Sequence, residues 1–136
     1  MGWGSVVVSD FTIVNLLELD DSTSGRAEGL EGRFGRTALG SRDLGVSHFR
    51  HAPNRRPSSG HRHKEQEEAY LVVAGSGQVL LDGEVHDLRQ WDVVRVAPGT
   101  FRGFSAGPEG LELLAIGSDR PEGGDGVQAD DAWWGD

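Results

Sequence analysis

Between positions 44 and 117 apolar and polar residues alternate with a period of two, the period of a β-strand. In 44–51, Val46, His48 and Arg50 share one face and Ser47, Phe49 and His51 the other. In 68–73, Glu68, Tyr70 and Val72 oppose Ala69, Leu71 and Val73. Short runs at 78–81, 84–88, 92–96, 101–105 and 111–116 continue the series. The breaks have turn chemistry. Asp82-Gly83 suits a type I′ hairpin, and Pro98-Gly99 places a fixed φ before a permissive residue. Segment 52–60, with Pro53, Asn54, Pro57 and Gly60, is a connection rather than a strand. This pattern predicts an all-β fold with helix below about 15% of residues.

Outside that core the pattern weakens. The apolar runs 6–8 and 13–19 read as strands, at a barrel rim or laid on a partner. Residues 20–32 read as an acidic loop, and 33–39 as either a helical turn or a strand. Positions 107–110, Gly-Pro-Glu-Gly, separate two strands. The organisation expected is therefore an N-terminal part at 1–43, a core at 44–117 and an acidic, Gly-rich tail at 118–136. That tail carries Trp133-Trp134, a pair more suited to docking than to water.

Composition narrows the class. A chain of 136 residues is one domain's worth, and its 21 glycines suit many tight turns. The 22 acidic against 13 basic residues give a net charge of −9, which argues against a general nucleic-acid binder. Without cysteine there are no disulfides and no thiolate metal ligands, as suits a cytoplasmic protein. No basic segment precedes an apolar run, and no apolar run is long enough to span a membrane. A homodimer is the expected assembly on general grounds.

Candidate chemistry gathers at 60–75. His61 and His63 on one strand present both imidazoles to the same face. Glu68 lies at odd spacing from His63, so the polar run 64–66 must turn and reset the register if all three are to converge. Converged, they form a two-His-one-carboxylate set with open positions; the plainer alternative is two ordinary histidines at a strand end. Tyr70 shares the face of Glu68 and either orients a ligand or packs in the core. His48, Arg50 and His51 are candidates for a pocket mouth, although exposure is the plainer expectation for the two histidines. His86 reads as a surface residue, and Phe49, Trp91, Phe101 and Phe104 as barrel fillers or interface residues. The stretch 48–64 holds Arg50, Arg55, Arg56, Arg62 and Lys64 without an acid, a patch able to steer an anion. No Gly-rich phosphate loop, Ser–His–Asp set or zinc-finger spacing occurs, and one lysine makes Schiff-base chemistry improbable.

Taken together, His61-x-His63, Glu68 and Gly75 resemble the first motif of the cupins, and the run from Trp91 through Asp92, Pro98 and Gly99 to Arg102 resembles the second. Arg55 stands where that family usually has a glycine, Trp91 replaces another, and Arg102 occupies the place of the third ligand histidine. The resemblance implies a small cupin-type β-barrel (a double-stranded β-helix, or jelly roll) over 44–117. It further implies a divalent metal (Zn, Mn, Fe or Ni) on His61, His63 and Glu68, or no metal at all. Arg102 has no lone pair for a metal; it either clamps an anionic ligand or pairs with Glu68. Three functions stay open: a domain binding a small polar or anionic molecule, a metal-dependent oxygenase or isomerase, and a non-catalytic structural or regulatory barrel.

Overall fold

In the computed structural model, which describes residues 10–23, 28–57, 59–119, 121 and 123–129, strands dominate. They are β1 (Leu30–Phe34), β2 (Gly45–His51), β3 (Gly60–His63), β4 (Glu68–Leu81), β5 (Glu84–Leu88), β6 (Val93–Val96), β7 (Arg102–Gly117) and β8 (Gly126–Ala129). Among the described residues the one α-helix is α1 (Arg36–Leu39), closed by Gly40 at φ 65°. No described helix is long and apolar enough to cross a membrane.

The strands pair antiparallel in a sheet that runs β1-β2-β7-β3-β8, with β4 joining β5, β6 and β7. The two long strands make it curl. The first half of β4 pairs with β6 and the far half of β7, while its second half pairs with β5 and the near half of β7. Both strands pass through segments that the sequence presents as breaks. Around Gly75 the register between β4 and β7 shifts, and residues 107–110 loop out without ending β7. Glycine is required at the first of these irregularities: Gly75 has φ 76°, and a Cβ there would lie 2.1 Å from the Gly110 carbonyl oxygen. The two expected strands at 101–105 and 111–116 are thus one bulged strand.

The inward faces of β4 and β7 build the core. Tyr70, Val72, Val79, Phe104, Leu111, Leu113 and Ala115 are buried together with Leu88 and Val96. Each fully buried Leu or Val contributes about 1.5–3 kcal/mol by leaving water. Leu80 and Phe101 form a smaller cluster on the other side. The alternation in 68–73 is therefore realised as expected, with Tyr70 and Val72 inside.

Four further expectations change. Residues 13–19 do not form a strand: Asn15 caps a 3-10 turn at Leu16–Glu18 by accepting from the Leu17 N–H at 3.0 Å. The stretch read as a loop to 32 already contains the start of β1, pairing with β2 from Leu30↔His51 to Phe34↔Ser47. Part of the supposed tail is β8, an edge strand on β3 from Gly60↔Ala129 to His63↔Gly126. Trp91 fills no barrel: it is 66% exposed and takes φ 75° in the turn before β6. That left-handed value explains why glycine suits its position. The expected strand at 6–8 and Trp133-Trp134 lie outside the described residues.

Candidate metal centre

Strand β3 carries His61 and His63 into the barrel, their rings edge to face with centroids 5.0 Å apart. The chain then bends at 64–65 and enters β4 at Glu68, which is the register reset that convergence needs. Asp125, just before β8, shapes this bend. Its Oδ2 accepts from the backbone N–H groups of Glu65 at 2.6 Å and Gln66 at 2.8 Å. The buried Gln66 side chain donates to the Ser118 carbonyl at 3.0 Å and pins the other side.

The result brings one donor atom each of His61, His63 and Glu68 within 4.8 Å of one another. Glu68 Oε1 is the hub. His63 Nε2 lies 3.1 Å from it, His61 Nε2 3.8 Å and Arg102 Nη2 3.6 Å, and the Tyr70 hydroxyl donates a short hydrogen bond to it. Burial alone would raise the pKa of Glu68, but donation from His61, His63 and Tyr70 holds it well below the carboxylate range. Tyr70 moves the other way: burial and then the Glu68 charge push its pKa up, so its proton stays on. Its ring packs on Phe104 with centroids 4.7 Å apart.

Asp125 also fixes the tautomer of His63. Although burial opposes it, the Glu65 and Gln66 N–H groups and then His63 keep this carboxyl below its usual pKa. As an ionised acceptor it takes the Nδ1–H of His63 at 2.8 Å, which turns Nε2 toward Glu68. The Glu68 hydrogen bond, against desolvation and with help from Asp125, raises the pKa of His63.

Two nitrogens or oxygens bound to one transition ion at about 2.1 Å sit about 3.0–3.4 Å apart. The 3.1 Å spacing of His63 and Glu68 falls in that range, the 3.8 Å spacing of His61 and Glu68 is wider, and all three donors lie within 4.8 Å, so His61 has to move closer for the three to share one ion. The donor set therefore fits a divalent ion with open positions, held by His61, His63 and Glu68.

Arg102 lies beside Glu68, the second of its two alternatives. Its residue is 0% exposed and does not line the cavity; Nη1 donates to the Thr100 carbonyl at 2.8 Å, while Nε and Nη2 have no hydrogen-bond partner. It backs Glu68 as a buried counter-charge. His48 and Arg50 do not reach the cavity either. They lie on the outer face of β2 with Glu112 between them, which His48 Nε2 meets at 2.6 Å and Arg50 Nη2 at 3.4 Å. The exposure expected for His48 and His51 is corrected as well: both are buried, because Glu112 and Arg55 give them polar partners. Exposure does hold for His86.

The cavity has two lobes that share Phe49, His61, Tyr70 and Gly126. One, about 440 Å³, holds His61, His63 and Glu68 between Phe34, Ser47 and Gln66. The other, about 490 Å³, runs from His61 past Phe49 and Phe104 to His51 and Arg55. Sequence reasoning missed Asp125, which sits in a Gly- and Asp-rich stretch without periodicity, and Gln66, which looked like part of a polar turn.

A cupin domain profile matches residues 47–117, just over half of the chain. The chain belongs to the cupin family. A curated relative, dimethylsulfoniopropionate lyase DddW of Ruegeria pomeroyi, is 38% identical over 70 residues, 52% of this chain and 43% of that protein. The cupin described here thus spans less than half the length of that relative. Solved structures share its fold. The polyketide cyclase RemF from Streptomyces resistomycificus superposes with a TM-score of 0.68 at 20% identity, covering 90% of this chain and 87% of that one. A sugar phosphate isomerase of the cupin superfamily from Silicibacter pomeroyi gives 0.67 at 20% identity over 81% and 77%. A Bacillus subtilis oxalate decarboxylase variant gives 0.72 at 18% identity over 91% of this chain and 33% of its own.

Proposed function

We propose that this cupin holds a divalent transition ion on His61, His63 and Glu68 and uses the site to bind and transform a small polar or anionic organic molecule. The observation that supports it most is Asp125, which accepts from the far nitrogen of His63 and aims Nε2 into the cavity. A carboxylate behind a histidine is the recurring support of metal-bound imidazoles, setting both ring orientation and basicity. The ion, when bound, supplies Lewis-acid polarisation of a substrate oxygen. The remaining work falls to the chain's own groups. Tyr70 keeps its proton and gives it to Glu68 in a hydrogen bond, which holds that carboxylate in place beside the cavity. Arg102 offsets the charge of Glu68, so a site loaded with a divalent ion stays positive and favours an anion.

The reaction class we favour is lyase-type cleavage, on the strength of the DddW relative, whose name specifies a lyase acting on a propionate. The test is turnover of a panel of short organic carboxylates, dimethylsulfoniopropionate included, by chelator-stripped and metal-reconstituted protein, with products read by NMR. Turnover that returns only with metal supports the proposal. Turnover unchanged by stripping contradicts the metal's role, and metal uptake without any turnover contradicts the enzyme reading in favour of a binding domain. A homodimer is supported by Val93 and Ile116, exposed on the outer face of β6 and β7, and sedimentation equilibrium reads its mass.

A further inference from the structure

The second cavity lobe combines an apolar body with one cationic end. Leu30, Phe49, Phe104 and Leu113 line its length, His61 stands at the end shared with the metal-site lobe, and Arg55 with His51 is at the other end. Arg55 is half-buried, and its position is over-determined by backbone. Its Nε donates to the Glu28 carbonyl at 2.8 Å, its own N–H to Ala52 O at 3.1 Å, and its carbonyl accepts from Ala106 N at 2.8 Å. Gly29, at φ 75°, leaves room for it: a Cβ there would stand 3.1 Å from Arg55 Cδ. Its Nη1 meets His51 Nδ1 at 3.4 Å, a neutral partner.

No carboxylate among the described residues pairs with this guanidinium. Of the other arginines near the site, Arg50 meets Glu31 and Glu112, Arg102 meets Glu68, and Arg36, on the metal-site lobe, spends both terminal nitrogens on the Arg42 and Ser118 carbonyls. A half-buried cation without a counter-ion among the described residues, at the end of an apolar chamber, has the chemistry of a receptor for an anion carried on an apolar body. With Nε on the Glu28 carbonyl and Nη1 toward His51, the planar group still has N–H donors on its Nη1/Nη2 end for a carboxylate.

We propose that the second lobe is a carboxylate subsite. Arg55 holds the acid group of an organic substrate, the apolar wall holds its body, and its far end reaches His61 and the metal. This rests on the reading of the cavity as a substrate site, and it adds the substrate class: a carboxylic acid with a short alkyl or aryl body, whose carboxylate is held by Arg55 and whose other end faces the metal site.

The test is a calorimetric titration of the full-length protein, of known metal content, with 3-phenylpropionate and with its primary amide. Wild type should bind the acid at least about tenfold more tightly than the amide, as expected for hydrogen bonds to a charged group. Arg55→Gln should lose that preference and bind the amide unchanged, while Arg55→Lys, which keeps a point charge, should retain part of it. Metal affinity should be the same in Arg55→Gln as in wild type. Equal binding of acid and amide by wild type overturns the proposal without any variant, so a misfolded Arg55→Gln leaves it decidable. An acid preference that survives Arg55→Gln also overturns it, since the carboxylate is then held elsewhere. Acid binding through Arg55 by a chain that takes up no metal removes the metal reading and leaves the subsite. Metal uptake with no acid preference does the reverse.

Discussion

Replacing Asp125 by Asn keeps the shape and removes the charge at the point where β8 supports β3. The carboxylate has three jobs: Oδ1 accepts the His63 Nδ1–H at 2.8 Å, and Oδ2 accepts the N–H groups of Glu65 at 2.6 Å and Gln66 at 2.8 Å. Asparagine has one acceptor oxygen. If that oxygen stays with the two backbone donors, the amide NH₂ faces His63 Nδ1 and favours the tautomer with hydrogen on Nε2. The lone pair aimed at the site is then lost unless the ring flips the tautomer back and leaves two donors opposed. Loss of such supporting partners typically costs 10–100-fold in metal affinity, about 1.4–2.8 kcal/mol. The assay is calorimetric titration with Zn²⁺ and Mn²⁺ for wild type and Asp125→Asn, with thermal melts to confirm folding. Wild-type affinity in a folded variant would refute the role of Asp125 and weaken the placement of His63 as a ligand.

Arg102→His removes a fixed charge whose Nη2 lies 3.6 Å from Glu68 Oε1, so divalent-ion affinity should rise at least tenfold, about 1.4 kcal/mol. Equal affinities by titration would put Arg102 outside the electrostatics of the site. Stability should fall in acid through His51, whose pKa is lowered to about 4 by burial and then by the Arg55 charge. The folded value lies below the unfolded value of about 6.5, so the contribution is full above about pH 6.5 and is lost as pH falls toward about 4, roughly 3 kcal/mol at most. Urea midpoints at pH 7.5 and 4.5 for wild type and His51→Gln check this. The same acid loss in both proteins would clear His51 of the effect.

Legibility followed the strength of local signals. The alternation at 68–73 fixed which residues face the core, because a half-buried strand must segregate its two faces. Asp82-Gly83 marked the β4–β5 hairpin, with Leu81↔Glu84 closing the register. The pattern His61, His63, Glu68 was readable because strand parity forces a turn at 64–66 if the three are to meet, and a turn is there. Other features depend on partners remote in sequence. Asp125 matters through residues about sixty positions earlier, and a short edge strand at Gly126–Ala129 has too few residues for periodicity to register. The face of His48 was visible in the alternation of 44–51, yet its burial depends on Glu112, which belongs to a different strand. Arg102 was correctly linked to Glu68 as one alternative, but its complete burial follows from packing within the barrel that no local pattern encodes.

The most direct measurement is metal stoichiometry and affinity of chelator-stripped protein beside His61→Ala, His63→Ala and Glu68→Gln, titrated with Mn²⁺ and Zn²⁺. The account predicts one ion per wild-type chain and at least a hundredfold loss of affinity in each folded variant, about 2.7 kcal/mol. Wild type that takes up neither ion, or variants that bind as wild type does, would contradict it.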